Sequence, residues 1–592
     1  MFYLALLIIA IPTFLSLLNP WYFSMHDFQH IARLFLLDKG IHQGYLFPRW
    51  VDLLGFNFGY PLFNFYPPLV YYVSELFRLL GASYIWSIKA MIMLGYGLGA
   101  VGMYALGYKV IKSKVAGLAA ATLFTFFTYH ATLVYVRGAF AEFWGMNILP
   151  FAFLSLELLK EKQTIKRAVF FGISLALLIL SHVFVAFPFA FFCAIYVLCS
   201  MLYAPKKFKF LVHVFLGGFL GATLSAFYWL PSMLERRFTL VDSILTKELA
   251  LYTVHFVQPM QLWQSTWGYG GSGPGLADAM SFQLGKIHIA LAVLSLVLFL
   301  LLVIKKRIKK PEVLSYTLYI LLLSLSLFMT TEYSKFIWDY VAPLQYLQFP
   351  WRFLTFAGVF IAILGGFFVQ FVYEALSSSR LPAGRQGMRG SNSDKIILLM
   401  SLIIISGTIF QYHKYFRPES YVKKTDAELT SFNEIAWNVS SSSFEFSPKG
   451  VPLKKSKYDT SVFDINQKKV SSITMPAGRQ EYQVSKNDAK VTQVVDKFNE
   501  KAFGINSPKP FVFTLNTFNF PGWTAYIDGG RLPISDNNKY KLIAVQVPSS
   551  VHNLEFRFED TPVRKWSSAV SLASLAVTIL LFSVGKFKKR KS

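Results

Sequence analysis

Cysteine is almost missing from this chain. Two occur in 592 residues, Cys193 and Cys199, both inside one apolar run. Six positions apart on a helix they face different directions, so neither a disulfide framework nor a thiolate zinc site is available. Charge is scarce as well. Only 15% of residues are charged, against roughly 25% in a soluble protein. Acids are the rarer sign, 32 against 58 lysines and arginines. The sequence has no Walker-type phosphate loop and no Rossmann glycine fingerprint between a strand and a helix. That argues against an ATP-driven pump and against a nucleotide-sugar enzyme built on a soluble Rossmann domain. Residues 2–18 lack a basic leading region and a small-residue cleavage pattern, so they read as a retained helix rather than a removed signal peptide.

What the chain has is apolar length. It is 54% hydrophobic, and several runs of about 18 to 25 residues are long enough to span a bilayer. The reading is a polytopic α-helical membrane protein. The net charge of +26 does not point to nucleic acid, because the basic residues sit in short loops between apolar runs: Lys109/Lys112/Lys114, Lys160–Arg167, Lys206–Lys209, Lys305–Lys310 and Lys586–Lys591. That is the positive-inside pattern, which orients helices. Helices are expected near 2–18, 85–108, 115–134, 139–159, 167–181, 183–203, 209–230, 286–304, 313–330, 353–374, 395–412 and 566–585. Twelve spans place both termini in the cytoplasm. The Tyr66-Pro-Pro-Leu segment, near 67–80, is short and carries Glu75 and Arg78. It reads as an interfacial helix starting at a proline-favoured first turn.

The outer regions are then 19–84, 231–285, 331–352 and 413–565, and polar candidates gather there. Asp27 stands between His26 and His30. A carboxylate at that place suits a general base acting on a hydroxyl, or a ligand for a divalent cation. If the stretch is helical, His26 and His30 share a face; the bland reading makes Asp27 a helix cap. Arg137 and Glu142 fall at the outer ends of two consecutive helices. Arg137 is a candidate phosphate ligand, with a bracing ion pair as the structural alternative. His182 and Arg352 also fall at outer helix ends. The stretch 263–275, rich in Trp, Tyr and Gly, suits sugar stacking and a covering loop. Two Pro-Ala-Gly-Arg-Gln copies, at 382–386 and 476–480, are too short to define a repeat. The region 413–565 is polar. Strand-like runs at 511–518, 523–527, 542–547 and 554–558, with a hairpin turn at Asp528-Gly-Gly, predict a β-sandwich-like domain.

This layout resembles the GT-C superfamily of integral-membrane glycosyltransferases. Protein mannosyltransferases and aminoarabinose transferases carry an acid pair early in the first outer loop and a Pro-Pro-Leu-aromatic segment later. Here His26-Asp27 stands where the acid pair would stand, and Tyr66–Tyr72 matches the later segment. Only Asp27 carries over as the catalytic acid; the second acid of that pair is absent. Gly59–Leu69, Ala139–Phe143 and Leu347–Phe353 look like the bacterial membrane proteins labelled 6-pyruvoyl-tetrahydropterin synthase-related, a label that does not imply pterin chemistry. Phe520–Gly529 is similar to a signature in the outer domain of membrane proteins that glycosylate lipoteichoic acid.

The resemblance implies transfer of a sugar from a polyprenyl-phosphate donor to an envelope glycan or protein at the outer face of the bacterial cytoplasmic membrane. Asp27 would be the base. Arg137 and Arg352 would hold phosphate. Glu142, His182, His26 and His30 would contact substrate. No cofactor is required by this reading, and a divalent cation at Asp27 is its one candidate. The alternative is a non-catalytic flippase for lipid-linked glycans, or an envelope assembly factor.

Overall fold

The computed structural model describes residues 2–202, 204, 206–244, 251–377, 386–451, 481–485 and 488–587. Residues 382–385 and the whole second Pro-Ala-Gly-Arg-Gln copy lie outside these, as do the lysine- and serine-rich stretch 452–480 and the basic tail beyond Phe587.

Among the described residues seven helices are long and apolar enough to cross a membrane, or eight if the pair Lys114–Thr125 and Thr128–Val136, bent by 44°, counts as one. The other four expected segments are helical but are not among these. Phe2–Ala10 gives way to 3-10 turns through Leu18, because Pro12 has no N–H for the α ladder. Phe140–Glu161 carries Glu142, Asn147, Pro150 and Glu157. Ile165–Ser181 has only 17 residues, and Pro562–Phe587 opens with Arg564 and Lys565. The helix Leu354–Ser377 runs through the middle of the bundle, with Ala357, Val359, Phe360 and Ile363 fully enclosed.

The bend between Thr125 and Thr128 frees backbone carbonyls that a straight helix would satisfy. Two buried histidines take them. His130 Nδ1 donates to Phe124 O at 2.8 Å, and His288 Nε2 donates to Leu123 O at 2.8 Å. The chain then widens into a π turn, Thr132–Val136, that ends at Arg137.

The polarity of the bundle follows from its helices. Glu142 lies in the first turn of Phe140–Glu161 and Lys160 in its last. Lys109, at the end of Tyr84–Ile111, pairs with Glu161 at 2.6 Å. Acids and arginines of interest therefore collect at the end opposite the lysine-rich turns. At that end lie a helix His30–His42 and the helix Leu69–Leu79 that follows Pro67-Pro68.

Strand β1 (Tyr22–Phe23) pairs antiparallel with β2 (Tyr421–Val422), so the segment after the core helices is stitched to the first loop. Eight further strands follow: β3 (Tyr482–Val484), β4 (Lys490–Lys497), β5 (Glu500–Ser507), β6 (Phe511–Phe518), β7 (Trp523–Ile527), β8 (Gly530–Leu532), β9 (Leu542–Val547) and β10 (Ser550–Phe558). They form an antiparallel sheet in the order β4-β5-β10-β7-β8 and another in the order β3-β6-β9. Phe503, Phe513 and Phe556 meet between the sheets at ring separations of 5.0 to 6.2 Å.

This β region docks on the first long loop through aromatics. Trp50 meets Trp523 edge-on at 5.6 Å, and Phe58 lies 5.3 Å from Phe518. Buried Arg564 locks the joint. It pairs with Glu235 at 2.8 Å and donates to Pro521 O at 2.8 Å. Gly522, at φ +118°, is what admits it: a Cβ there would stand 2.7 Å from both Arg564 Nη1 and Glu559 O. The Phe520-Pro-Gly-Trp motif thus serves the docking of the β region.

Candidate functional site

A cavity of about 680 Å³ opens at the end of the bundle where the acids and arginines collect. Its wall includes His26, Asp27, Arg137, Glu142, His182 and Arg352. Six of the seven residues singled out from the sequence therefore meet in one space; His30 is the exception.

Asp27 is partly exposed, in a turn before the helix His30–His42 that the Phe28 N–H closes onto His26 O at 3.1 Å. Its placement is set by main-chain bonds. The His26 N–H donates to Val136 O at 3.0 Å and the Asp27 N–H to Arg137 O at 2.9 Å. Gly138 makes this approach feasible. It sits at φ +67°, and a Cβ would come 2.5 Å from Met25 Sδ and 3.1 Å from Asp27 O. The same glycine turns the chain into Phe140–Glu161, so one turn presents both Arg137 and Glu142 beside Asp27.

The helical face proposed for His26 and His30 does not form, because the helix begins at His30. His26 is exposed, and its Nε2 donates to Tyr269 O at 2.8 Å, tying the Asp27 segment to the glycine-rich loop. His30 is fully buried. Its Nε2 donates to Gly138 O at 2.6 Å, which leaves Nδ1 to accept from Tyr71 Oη at 2.9 Å. Burial, with Arg33 nearby, holds its pKa down at about 3. His30 is thus a brace behind the Arg137–Gly138 turn.

Glu142 is also a brace. One oxygen accepts from Tyr129 Oη at 2.6 Å and Thr355 Oγ1 at 3.3 Å; the other lies 2.8 Å from Arg137 and 3.3 Å from Arg352. The carboxylate is 1% exposed with both oxygens engaged, so it fixes two guanidiniums side by side. Arg137 also lies over the Trp351 ring at 4.4 Å, and Arg352 over Phe349 at 5.0 Å. Two arginines sharing one acid leave a net positive pole. His182 faces the same cavity, and its Nδ1 makes no hydrogen bond among the described residues.

The Leu347–Phe353 stretch carries strain at the wall. Gln348 has φ +64°, and the Phe349 N–H reaches back to Leu347 O at 2.6 Å. Such a γ-type turn is rare for a residue with a side chain. The glycine-rich loop is pinned rather than open. A Cβ on Gly268 would come 2.3 Å from Ala279 O, and Ser272 Oγ meets His255 Nδ1 at 2.6 Å. Its glycines serve close packing as much as motion.

Sequence reasoning missed three further residues that line the same cavity, Arg33, Tyr66 and Glu445. Arg33 lies over the Tyr66 ring at 4.0 Å and donates to Ser443 Oγ at 2.9 Å and Tyr71 Oη at 3.4 Å. Burial, with the charge of Asp27 adding to it, pushes the Glu445 carboxyl above the usual carboxylate range, while Arg33 pulls the other way. Arg33 had one signal in the sequence, a charge inside the apolar run Ile31–Leu37. Glu445 lies in a serine-rich stretch and had none.

Comparison with known proteins gives one family. A family model described as 6-pyruvoyl-tetrahydropterin synthase related domain, membrane protein, matches residues 63–417. No curated protein matches the chain significantly. Among solved structures, the archaeal oligosaccharyltransferase AglB from Archaeoglobus fulgidus, in complex with an inhibitory peptide and a dolichol-phosphate, is similar with TM-score 0.45 and 15% identity over 71% of this chain and 56% of that one. The arabinofuranosyltransferase AftD from Mycobacteria gives 0.41 and 12% over 72% and 27%. ArnT from Cupriavidus metallidurans, bound to undecaprenyl phosphate, gives 0.36 and 11% over 74% and 76%. The chain spans less than two thirds of the first two. At these scores each likeness is distant.

Proposed function

This chain belongs to the membrane-protein family described as 6-pyruvoyl-tetrahydropterin synthase related, and we propose that it is a GT-C-type glycosyltransferase that takes a sugar from a polyprenyl-phosphate donor. The observation that carries this reading is the pairing of poles in one cavity: a partly exposed carboxylate, Asp27, pegged by backbone bonds beside two arginines that a buried acid holds together.

Each pole has a task. An acceptor hydroxyl attacks the sugar's anomeric carbon and gives its proton to Asp27. The bond from that carbon to the phosphate oxygen breaks, and the electron pair leaves with the polyprenyl phosphate. Arg137 and Arg352 stabilise that charge as it develops. Their guanidiniums are already fixed by Glu142, Trp351 and Phe349, so little reorganisation is needed when the phosphate arrives. His182 is placed to orient the sugar. The apolar walls at Phe184, Trp229 and Met233 suit the first isoprene units. The basic turns at the far end, read by the positive-inside rule, support an extracytoplasmic cavity, where an envelope glycan or protein would supply the acceptor.

Among the described residues no group of three or more His, Cys, Asp or Glu could hold a metal ion. No step here runs through a cation.

The test is to reconstitute the purified protein in vesicles, add a panel of polyprenyl-phosphate sugars with envelope extract as acceptor, and follow the lipid by mass spectrometry. The reading expects one donor to be consumed with release of polyprenyl phosphate. Donors that cross the bilayer intact, with none consumed, would replace it with the flippase reading.

A further inference from the structure

We propose that Glu445 is a second acid of the same reaction, holding the acceptor so that one of its hydroxyls faces Asp27. This rests on the transfer reading above and extends it to the acceptor side.

Glu445 is delivered by a rigid loop. The π turn Glu434–Val439 and the bond from Ser440 Oγ to Ile435 O, 3.1 Å, hold one side. On the other side Phe446 stacks on Phe65 at 5.1 Å, and the Phe446 N–H donates to Tyr60 Oη at 2.9 Å. With that lone pair taken, the Tyr60 hydroxyl proton is free to point to the Glu445 carboxylate, which it stabilises. Arg33 directs its N–H groups to Ser443 and Tyr71. The backbone N–H of Glu445 also stabilises its carboxylate, and Glu445 lines the cavity together with Asp27. The charge of Asp27 reaches the Glu445 carboxyl.

Charge divides the cavity. Arg137, Arg352 and Glu142 sum to +1, and Asp27, Glu445 and Arg33 to −1; Arg236, also on the wall, pairs with Asp242. The acidic half suits an acceptor with at least two hydrogen-bond donors and no anionic group beside them, such as a neutral polyol or sugar. One hydroxyl donates to Glu445 throughout. The other loses its proton to Asp27 as its oxygen bonds to the anomeric carbon and the donor's phosphate leaves, so atoms and charge balance without a further reactant.

The experiment measures transfer against acceptor concentration for wild type, Glu445→Gln and Glu445→Asp, with undecaprenyl phosphate binding followed by tryptophan fluorescence. Glu445→Gln is expected to lower kcat/KM for acceptor by about 10- to 100-fold, the loss of one hydrogen bond to a charged group. Glu445→Asp should recover part of it, and undecaprenyl phosphate should bind both variants no more weakly than wild type. Wild-type kcat/KM in Glu445→Gln would overturn the assignment while leaving the transfer reading standing. An equal loss in both variants, with weaker undecaprenyl phosphate binding, would make Glu445 merely structural and overturn it too. Wild type that turns over no donor would remove the transfer reading and this inference together.

Discussion

Glu142→Gln gives a test of the phosphate pole that reads stability and binding together. In the folded protein the Glu142 carboxylate is 1% exposed and meets Arg137 at 2.8 Å and Arg352 at 3.3 Å. The glutamine keeps the shape and removes the charge, so two enclosed guanidiniums lose their shared counter-ion. Breaking a buried pair by neutralising one partner costs about 3 to 5 kcal/mol, a large part of the roughly 5 to 15 kcal/mol that holds a typical domain folded. Thermal unfolding in detergent, followed by tryptophan fluorescence, should show a clear drop. The second half of the experiment adds undecaprenyl phosphate. If the arginines receive a phosphate, the ligand supplies the missing counter-ion and binds the variant more tightly than wild type. At a concentration 100 times its Kd, a ligand adds about 2.7 kcal/mol, so the gap between variant and wild type should narrow on addition. A variant as stable as wild type would refute the brace assigned to Glu142. A drop that undecaprenyl phosphate leaves untouched, or widens, would refute the phosphate role of the two arginines.

Other outcomes follow from the same geometry. Gln348→Gly relieves a positive-φ backbone by up to about 1 kcal/mol but empties that part of the wall; melting temperature should hold or rise while transfer falls, and a drop in both would contradict this. Gly522→Ala forces a Cβ against Arg564 and Glu559 and should cost about 1 to 3 kcal/mol, seen as earlier proteolysis of the β region; unchanged protease resistance would argue against the Arg564 joint. His30 gives a pH dependence. Its folded pKa, about 3, lies below the ordinary value near 6.5, so folding disfavours its protonated form. Its contribution is fully present above pH 6.5 and is lost progressively as pH falls toward 3. His30→Gln should flatten the melting profile across that window, and an unaltered slope would count against the assignment.

How much of this was legible in the sequence depended on the range of the interactions. Helices from apolar runs, the strands at 511–518 and 523–527, and the Arg137–Glu142 hairpin are local, and the structure places them where periodicity and spacing did. Asp27, Arg137, Glu142, His182 and Arg352 stood out because charge at the end of an apolar helix is costly without a purpose. His30 was misjudged, since nothing local says that Gly138 and Tyr71 close over it. Glu445 was invisible, and the role of Arg33 hidden, for the same reason: Arg33 meets Ser443, 410 positions away, and such a contact leaves no mark in a single sequence. The bend after Thr125 was equally hidden, because its cost is met by His288 from another helix.

The most direct measurement is the rate of sugar transfer from a polyprenyl-phosphate donor by wild type and Asp27→Asn in the same vesicles, with folding checked by melting temperature. Asp27 is partly exposed, so the asparagine should leave the protein folded. The account predicts a rate lowered by about 100-fold or more, on the scale of a lost general base, at an unchanged melting temperature. A folded Asp27→Asn protein that transfers sugar at the wild-type rate would contradict it.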